Sequence, residues 1–549
     1  MTSGTGIARS DILRHLVLRP DDADGWFLLG ATGASAAALH RAIAAQPAHI
    51  DAALALSQVA EASHRPDLAQ RLLRRALVLD PGRAAVTGTL ALLALGQGDA
   101  TVAVALFRRI LWSDPADAIT WVNLGKAEEA TGDTNAASRS WRRAVALEPA
   151  FAAAQLNLGI ADLTRQPGRA VSRLRRAALV TPGDPEIWNN LGDGLRRVGA
   201  LDAALACARR SLAILPAHEG FHRTLSNCLL EFPHLTAAEE AARRALSIAP
   251  QSAADHYNHA VLLLTAGRIG EGRREYEWRW RVPGLCRSPS EAPRWTGADN
   301  RETTLLVHAE QGLGDVLQFA RYVPAAVERV ARVVLAVPAP VLRLLQGAFP
   351  AATVVNDALP LPPHDVAIPI MSLPLALGAD AAAAAYLPRP PAAELPPDPR
   401  PTVGLVWAGN PGQARDEQRS ASLDALAPML AVPGIRWLSL QFGAKAADVA
   451  RANLMDLGER LGDFAETARF VAATDLVITV DTAMVHLAGA LGHPVWTLLA
   501  KVPDWRWGLE GEDTSWYPSM RLWRQHRRGD WRELAGRVAA ALNRLERRL

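Results

Sequence analysis

The first half of the chain repeats one helical pattern at a fixed spacing. Prolines recur every 33 or 34 residues, at positions 47, 81, 115, 149, 182, 216, 250 and 283, and a basic, mostly alanine-containing segment precedes six of them. After several of these prolines the chain reads W-x-x-L-G, as at Trp121, Leu124 and Gly125, while Gln155 replaces the tryptophan in one unit. A regular period of this length is typical of stacked helix–turn–helix repeats. The pattern predicts an all-α array over residues 1–283.

The second half alternates short apolar runs with helical segments. Strand-like runs such as TTLLVH, RVVLAVP and DVAIPI come first, and TVGLVWAG, IRWLSLQ, DLVITV and PVWTLL follow a proline-rich stretch. This alternation predicts parallel sheets covered by helices. We therefore expect a linker at 284–300, a Rossmann-like lobe at 301–386, a bridge at 387–401 and a second Rossmann-like lobe with a final helix at 402–549. The predicted fold class is α + α/β.

Composition narrows the class of protein. The 549 residues carry a formal net charge of +3 and three cysteines, none in a C-x-x-C pair. Free thiols fit a reducing compartment. The first residues lack the apolar segment of a signal peptide, and no apolar run reaches the roughly 20 residues of a membrane span. We expect a cytoplasmic protein with no membrane span, and the mild charge gives no reason to expect a nucleic-acid partner.

One polar column runs through the repeats. Two residues after the tryptophan position stand Asn123, Asn157, Asn190, Thr224 and Asn258. An amide both donates and accepts hydrogen bonds and can hold a peptide backbone. Asparagine is a mediocre helix former, so its recurrence at one helical position needs a reason. The simpler explanation is that these polar residues occupy a solvated face. We favour Asn123, Asn157, Asn190 and Asn258 as peptide-binding residues.

The repeat pattern resembles the tetratricopeptide repeat, whose first helix carries W-x-x-L-G and whose second helix closes with proline. In such arrays the first helices line the concave face of a superhelix. The asparagine column is similar to the one in O-linked N-acetylglucosamine transferases, which holds acceptor polypeptides. The resemblance implies a protein acceptor bound by the concave face.

Two strand-to-helix turns of the second half carry carboxylates. VITVDTAMVHLAGALGHPV places Asp481 and Thr482 where a strand meets a helix, and EQGLGDV places Asp315 at a similar turn. Helix N-termini beyond the strands of a parallel sheet suit phosphate binding. The alternatives are that Asp481 only caps its helix, that His486 is a packed histidine, and that Asp315 caps a helix beginning near Val316.

Five segments together resemble glycosyltransferases of the heptosyltransferase-like type, closest to the version fused behind tetratricopeptide repeats in bacteria. They are EQGLGDVLQFARY, GLVWAGNP, LSLQ, GDFAETARFVAATDLVITVDTAMVHLAGALGHPV and SWYPSMRLWRQ. The resemblance covers roughly residues 300–531. It implies a GT-B fold of two Rossmann-like lobes, with the nucleotide-sugar donor on the C-terminal lobe and the acceptor on the N-terminal lobe.

The resemblance also implies site residues. Asp315 corresponds to the general base that takes the proton of the acceptor hydroxyl. The expected nucleotide-sugar site consists of Gly314, Trp407, Arg415, Arg419, Gln441, Asp481, Thr482, Ala483, Met484 and His486. Arg415 and Arg419 stand where heptosyltransferases carry a lysine, so an ADP-heptose donor does not follow from the resemblance. Neither lobe contains a D-x-D motif, and we expect inverting transfer with no metal and no cofactor.

Three functions remain open from the sequence. The first is a protein O-glycosyltransferase acting on Ser or Thr, since fused transferases of this type include flagellin-modifying enzymes that use nonulosonic acid sugars. The second is a heptosyltransferase-like enzyme acting on a cell-surface saccharide. The third is a non-catalytic scaffold with a degenerate transferase domain. The asparagine column favours the first function over the second, and the intact Asp315 disfavours the third.

Overall fold

A computed structural model describes residues 9–33, 35–378, 384–412, 416–443 and 446–546. It consists of two compact units, Met1–Leu215 and Pro216–Leu549. Helices form the first unit, and helices followed by two parallel sheets form the second, so the predicted α + α/β class is confirmed. Over the described ranges, none of the helices combines the length and apolarity needed to span a bilayer.

The first unit contains one leading helix and six helix pairs. Its helices are α1 (Arg9–Leu18), α2 (Ala23–Gly33), α3 (Ala36–Ala45), α4 (Ile50–Ala62), α5 (Pro66–Leu79), α6 (Ala84–Gly96), α7 (Ala100–Ser113), α8 (Ala118–Ala130), α9 (Thr134–Leu147), α10 (Ala152–Asp162), α11 (Pro167–Val180), α12 (Pro185–Arg197) and α13 (Leu201–Ile214). The glycine of W-x-x-L-G allows the two helices of a pair to approach closely. A Cβ on Gly125 would lie 2.2 Å from Nε1 of the buried Trp141.

A side chain satisfies the carbonyl oxygen of the proline that precedes each helix pair. Where the tryptophan position holds Trp, Gln or His, that side chain donates the hydrogen bond; where it holds Ala53 or Thr87, an arginine of the second helix donates it instead. The bonds are Trp26 to Pro20 (2.8 Å), Arg75 to Pro47 (3.2 Å), Arg109 to Pro81, Trp121 to Pro115 (2.9 Å), Gln155 to Pro149 (2.9 Å), Trp188 to Pro182 (2.8 Å), His222 to Pro216 (3.0 Å) and His256 to Pro250 (3.0 Å). The hydrogen bond to the proline carbonyl is therefore present in each of these helix pairs, although the residue that donates it differs.

The second unit begins with two further helix pairs. They are α14 (Glu219–Glu231), α15 (Leu235–Ile248), α16 (Ala253–Thr265) and α17 (Ile269–Tyr276), and a 3₁₀ turn (Glu277–Arg281) follows. Ala260, Leu264 and Tyr276 are buried in the same hydrophobic cluster as the first sheet. The compact units consequently divide at 215/216, two helix pairs before the end of the array that the sequence predicts at 283.

A four-stranded parallel sheet forms the N-terminal lobe, in the order β3-β2-β1-β4. Its elements are β1 (Asn300–His308), α18 (Leu313–Phe319), α19 (Val323–Val327), β2 (Val330–Val337), α20 (Ala339–Ala348), β3 (Thr353–Asn356), β4 (Val366–Pro369) and α21 (Leu373–Leu377). Part of the predicted linker pairs with β4, since the Trp295 N–H donates to the Ala367 carbonyl at 3.0 Å.

A six-stranded parallel sheet forms the C-terminal lobe, in the order β10-β9-β8-β5-β6-β7. Its elements are β5 (Thr402–Val406), α22 (Asp416–Arg419), α23 (Leu423–Leu430), β6 (Arg436–Ser439), α24 (Ala446–Arg451), β7 (Met455–Asp456), α25 (Phe464–Ala472), β8 (Leu476–Val480), α26 (Ala483–Ala490), β9 (Val495–Leu499), β10 (Met520–Arg524) and α27 (Trp531–Glu546). The strand order reverses beside β5, and a crevice for ligands is expected at the carboxyl ends of β5 and β8.

The final helix completes the C-terminal lobe. Leu534, Val538 and Leu542 of α27 are buried in one cluster with Trp496 and Trp523. The buried apolar face of this helix therefore lies on the C-terminal lobe.

Candidate functional site

The loop after β1 holds the predicted base in a strained turn. Gln311 has a left-handed backbone (φ 56°), a conformation that costs energy for a non-glycine residue and occurs preferentially at functional sites. Gly312 is the N-cap of α18, and Asp315 is the third residue of the helix, where its Oδ2 accepts the Gly312 N–H at 2.8 Å. The alternative start near Val316 is therefore wrong, because the carboxylate caps the helix from inside its first turn.

Arg506 of the C-terminal lobe reaches this carboxylate. It lies in a 3₁₀ turn (Trp505–Trp507) after β9, and its Nη2 donates to Oδ1 of Asp315. Its Nη1 donates to Oδ1 of Asp504 at 2.8 Å, and its Nε donates to Oε1 of Gln318 at 2.5 Å. The guanidinium is only 8% exposed. The guanidinium group is planar and carries N–H donors along three edges, which suits a buried position between carboxylates.

The electrostatics of Asp315 favour a base. Burial raises the pKa of this carboxyl, while the Arg506 charge and the Gly312 N–H act in the opposite direction and only partly compensate. A general base works best with a pKa near the operating pH. Each carboxylate oxygen has two lone pairs, so the bonds to Gly312 and Arg506 leave acceptor capacity for a substrate hydroxyl.

The turn before α26 has the predicted arrangement, with one refinement. Thr482 is the N-cap, and its hydroxyl accepts the Met484 N–H at 3.3 Å. Asp481 lies just before the cap and is half-buried. Burial raises its pKa to about 6, the Asp504 carboxylate acts in the same direction, and Arg506 and Arg419 oppose it. The same pair of charges, Asp504 and Arg506, thus acts on both predicted carboxyls.

The two predicted turns face each other directly. A Cβ on Gly314 would lie 3.0 Å from Cδ2 of His486 and 3.5 Å from Cα of Ala483. His486 is buried, its ring stacks on Trp507 with centroids 5.5 Å apart, and its Nδ1 lies 3.0 Å from the Tyr517 hydroxyl. Burial lowers the pKa of His486 well below its ordinary value, assisted by Arg506 and Arg321. His486 is therefore a packed, neutral histidine in this arrangement, and its contact with a donor stays a prediction.

The remaining residues that were predicted to bind the nucleotide-sugar donor lie at the carboxyl ends of β5 and β6. Oε1 of Gln441 accepts the backbone N–H groups of Trp407 and Ala408 at 3.1 and 2.9 Å. The Trp407 ring itself is buried in the core of the lobe. Arg419 ends α22 and its Nε donates to Oδ1 of Asp416 at 3.3 Å, and Arg415 falls outside the described residues. Gln441 thus shapes the loop after β5, and contact with a nucleotide stays a prediction.

The end of the repeat array contacts the loop that carries Asp315. Nε2 of Gln311 donates to the Tyr276 hydroxyl at 3.1 Å. Arg279 is fully buried and donates to both carboxylate oxygens of Glu310 at 2.8 Å, and to the Ser372 hydroxyl at 2.7 Å. The last turn of the array and the loop that carries Asp315 are therefore joined by a buried ion pair next to the strained Gln311.

The amide column is half-buried along its length. Asn190 donates to the Glu186 carbonyl at 2.9 Å, and Asn258 donates to the Ser226 hydroxyl at 3.3 Å. Asn123 is half-buried as well. The amide nitrogen of Asn157 is shielded from solvent and has no acceptor among the described residues. Because solvent does not reach this nitrogen, an external carbonyl does not reach it in this arrangement either, and peptide binding by the column stays a prediction.

Comparison with known proteins assigns the class of the C-terminal lobe. Residues 449–528 match the family model for glycosyltransferase family 9 (heptosyltransferase). The match includes α26, Asp481 and the turn that carries Arg506. The chain thus carries helix pairs with the tetratricopeptide pattern ahead of a region similar to heptosyltransferases. Its two parallel sheets have the GT-B-like arrangement that the resemblance implies, and the predicted resemblance is confirmed.

Other proteins are similar to longer parts of this chain. Protein FlbA of Caulobacter vibrioides is 31% identical over 327 residues, which is 52% of this chain and 54% of that protein. The chain thus spans about half the length of this curated relative. Solved structures with similarity include the APC/C hetero-tetramer Cut9-Hcn1 (16% identity, 46% of this chain and 52% of that one, TM-score 0.39) and the type IV pilus biogenesis factor PilW (20% identity, 36% and 91%, TM-score 0.33).

Three residues of the site were not predicted from the sequence. Arg506, Tyr276 and Arg279 contact Asp315 or its loop from segments 191, 35 and 31 residues away. Trp507, which follows Arg506, is buried. The stretch DWRW could have indicated Arg506 as a site residue, because an arginine between two tryptophans combines a charge with aromatic rings that shield it from solvent. Among the described residues, no group of His, Cys, Asp and Glu side chains is arranged to hold a metal ion.

Proposed function

We propose that this glycosyltransferase moves a sugar from a nucleotide-sugar donor to a Ser or Thr hydroxyl of a protein that the repeats bind. The observation that carries the proposal is the junction between the array and the loop of Asp315. Tyr276 and Arg279 of the last turn contact Gln311 and Glu310, so the end of the array adjoins the loop of the proposed base. An acceptor that is only a saccharide gives no reason for this junction.

The transfer follows from the groups of the cleft. Asp315 takes the proton of the acceptor hydroxyl while its oxygen attacks the anomeric carbon of the donor. The bond from that carbon to the diphosphate oxygen breaks on the opposite face, which inverts the anomeric centre. The leaving nucleoside diphosphate gains negative charge. The N-terminus of α26 and the guanidinium groups of Arg506 and Arg419 are placed to stabilise it.

Sugar donors of this kind need no bridging metal if fixed cations and a helix terminus neutralise the diphosphate. We therefore expect that transfer continues after treatment with EDTA. Strong inhibition by the chelator, reversed by a divalent cation, would contradict the metal-free part of the proposal. The asparagine column, which is half-buried, supports a peptide backbone as the ligand of the array.

The test uses the full-length chain as bait. The Asp315→Asn variant would be used to capture proteins from the source cells, and each captured protein would be incubated with wild-type enzyme and a panel of nucleotide sugars. The expected result is a sugar-sized mass increase on Ser or Thr of one captured protein, seen by intact-mass and peptide mass spectrometry. Flagellin is the first acceptor to test, since the fused transferases that the sequence resembles include flagellin-modifying enzymes. Sugar transferred only to a saccharide would support the heptosyltransferase-like alternative.

A further inference from the structure

We infer that a groove in the first unit, separate from the amide column, binds an acidic segment of a partner protein that carries an apolar side chain. This groove, here called the α7–α9 groove, lies between α7 and α9 above α8. Its volume is about 520 Å³, within the range of about 300–1,000 Å³ that is common for ligand sites. It is lined by Arg108, Leu111, Trp112, Trp121, Arg139 and Arg143, among others.

An exposed tryptophan marks the edge of the α7–α9 groove. Trp112 is 91% exposed, whereas the equivalent position two repeats later holds Leu179. Exposed large aromatic side chains beside a concave apolar surface are typical of protein contact sites. The groove floor adds Leu111, Leu124 and the partly exposed Trp121. These residues suit the insertion of an apolar side chain.

The charge of the groove selects the partner. The sequences of α7 and α9 contain Arg108, Arg109, Arg139, Arg142 and Arg143 and no carboxylate. Arg108, Arg139 and Arg143 line the groove, and Arg108 is paired with Glu128. The other two guanidinium groups favour an acidic segment, because arginine binds carboxylates bidentately. Exposed charge pairs contribute little singly, so the inserted apolar side chain has to supply much of the affinity.

A buried carboxylate at the floor holds the groove in shape. Glu128 is 4% exposed; its Oε1 accepts from Arg108 at 2.9 Å and its Oε2 accepts from the Ser140 hydroxyl at 2.7 Å. The three elements are thereby tied together through one side chain.

The α7–α9 groove differs from the surface assigned to the acceptor. Asn123 lies on the same helix as Trp121 and Glu128, yet it does not line the groove. A partner at α7–α9 could therefore be bound together with an acceptor at the amide column. This site is independent of the proposed transfer reaction, and its failure would leave that reaction untouched.

The test measures peptide binding to the full-length protein. The probe is a fluorescein-labelled peptide of ten residues with eight Asp or Glu side chains around a central leucine–phenylalanine pair. Fluorescence anisotropy should show saturable binding that Trp112→Ala weakens about fivefold or more, and that Arg139→Glu with Arg143→Glu weakens more than about tenfold. Leu179→Ala and Arg176→Glu, at equivalent exposed positions of α11, serve as matched controls and should leave the affinity unchanged.

Several outcomes would overturn the inference. They are equal binding of a peptide whose apolar pair is replaced by serine, equal weakening by the control variants, or tighter binding of a labelled oligodeoxythymidine than of the peptide. Dissociation of an oligomer by Trp112→Ala in sedimentation experiments would identify a second copy of the chain as the occupant instead. Because Trp112 and both arginines are exposed, unchanged thermal unfolding is expected in every variant and would be verified by circular dichroism.

Discussion

Arg506 of the C-terminal lobe forms an ion pair with Asp315 of the N-terminal lobe. The two residues are 191 positions apart in sequence and lie on the two lobes between which a GT-B enzyme binds its substrates. Arg506 also bonds to Asp504 and Gln318, so its position is fixed by both lobes. The ion pair joins the proposed base, Asp315, to Arg506, which we propose to stabilise the leaving diphosphate.

The first prediction concerns the pH dependence that Arg506 imposes. Its positive charge lowers the pKa of Asp315 against the effect of burial, so Arg506→Gln should raise this pKa further. A base acts only when ionised, and activity is lost as the pH falls through its pKa. The acidic limb of kcat/KM against pH should therefore move to higher pH, by about one unit for each 1.4 kcal/mol of lost interaction.

A control and a second variant keep this prediction decisive. Arg343→Gln removes an exposed ion pair with Asp463 and should leave the profile in place. Loss of a buried partner destabilises a protein by about 3–5 kcal/mol; if Arg506→Gln unfolds, Arg506→Lys keeps the charge and should retain the acidic limb with a lower kcat. An unshifted limb in a folded Arg506→Gln protein would rule out Asp315 as the titrating base.

The second prediction concerns donor binding and Asp481. Its pKa is raised to about 6, so the group is mostly neutral below that pH and negatively charged above it. A negative charge beside the N-terminus of α26 repels a diphosphate, and donor affinity should fall as the pH rises from about 5 to 7, by roughly three- to tenfold. The probe is an intact nucleotide sugar, whose doubly esterified diphosphate does not titrate in this range. Calorimetry should show that Asp481→Asn removes the dependence, and an identical pH slope in that variant would contradict it.

The third prediction concerns the amide column. Replacing Asn123, Asn157 and Asn190 by alanine should weaken binding of the captured acceptor about tenfold or more, since three hydrogen bonds of roughly 0.5–1.5 kcal/mol each are lost. Alanine is a better helix former than asparagine, so thermal stability should change little. Asn135→Ala, on an exposed position of α9, is the matched control. Unchanged acceptor affinity in the triple variant would mean that the column is only a solvated face.

The fourth prediction concerns the proline carbonyls of the repeats. Gln155→Leu removes the donor for the Pro149 carbonyl and should lower stability by about 0.5–1.5 kcal/mol, the net contribution of one hydrogen bond. Gln155→His should restore much of it, because His222 and His256 make the same bond in other repeats. Urea unfolding and hydrogen exchange of α10 measure the effect. Equal stability of the leucine and histidine variants would show that side-chain packing alone matters at this position.

The sequence predicted the regular elements better than the site. The repeat period located the helix pairs, and β-branched runs located eight of the ten described strands, because both signals are local. β7 has only two residues, too few for a periodic pattern. β10 was missed because Arg521 and Arg524 interrupt its apolar run. In the structure, Arg524 donates to four backbone carbonyls between Trp507 and Gly511.

The site depends on contacts between distant segments, which no local pattern encodes. The turns of Asp315 and Asp481 were found because each follows a strand directly. Arg506 was missed because its partner is on another lobe, and the junction of Tyr276 with Gln311 was missed because a domain boundary was placed between them. The packing of His486 against Trp507 was likewise not predicted, and its contact with a donor stays a prediction.

The most direct test of the account is the role of Asp315 in protein modification. Source cells that lack the gene would be complemented with the wild-type chain or with Asp315→Asn, and the Ser and Thr glycosylation of their proteins would be compared by mass spectrometry. Loss of a positioned base costs about 10² to 10⁴ in rate, so the wild-type chain should restore a sugar on one acceptor protein and the folded Asp315→Asn chain should not. Restoration by Asp315→Asn, or a sugar found only on a saccharide, would contradict the account.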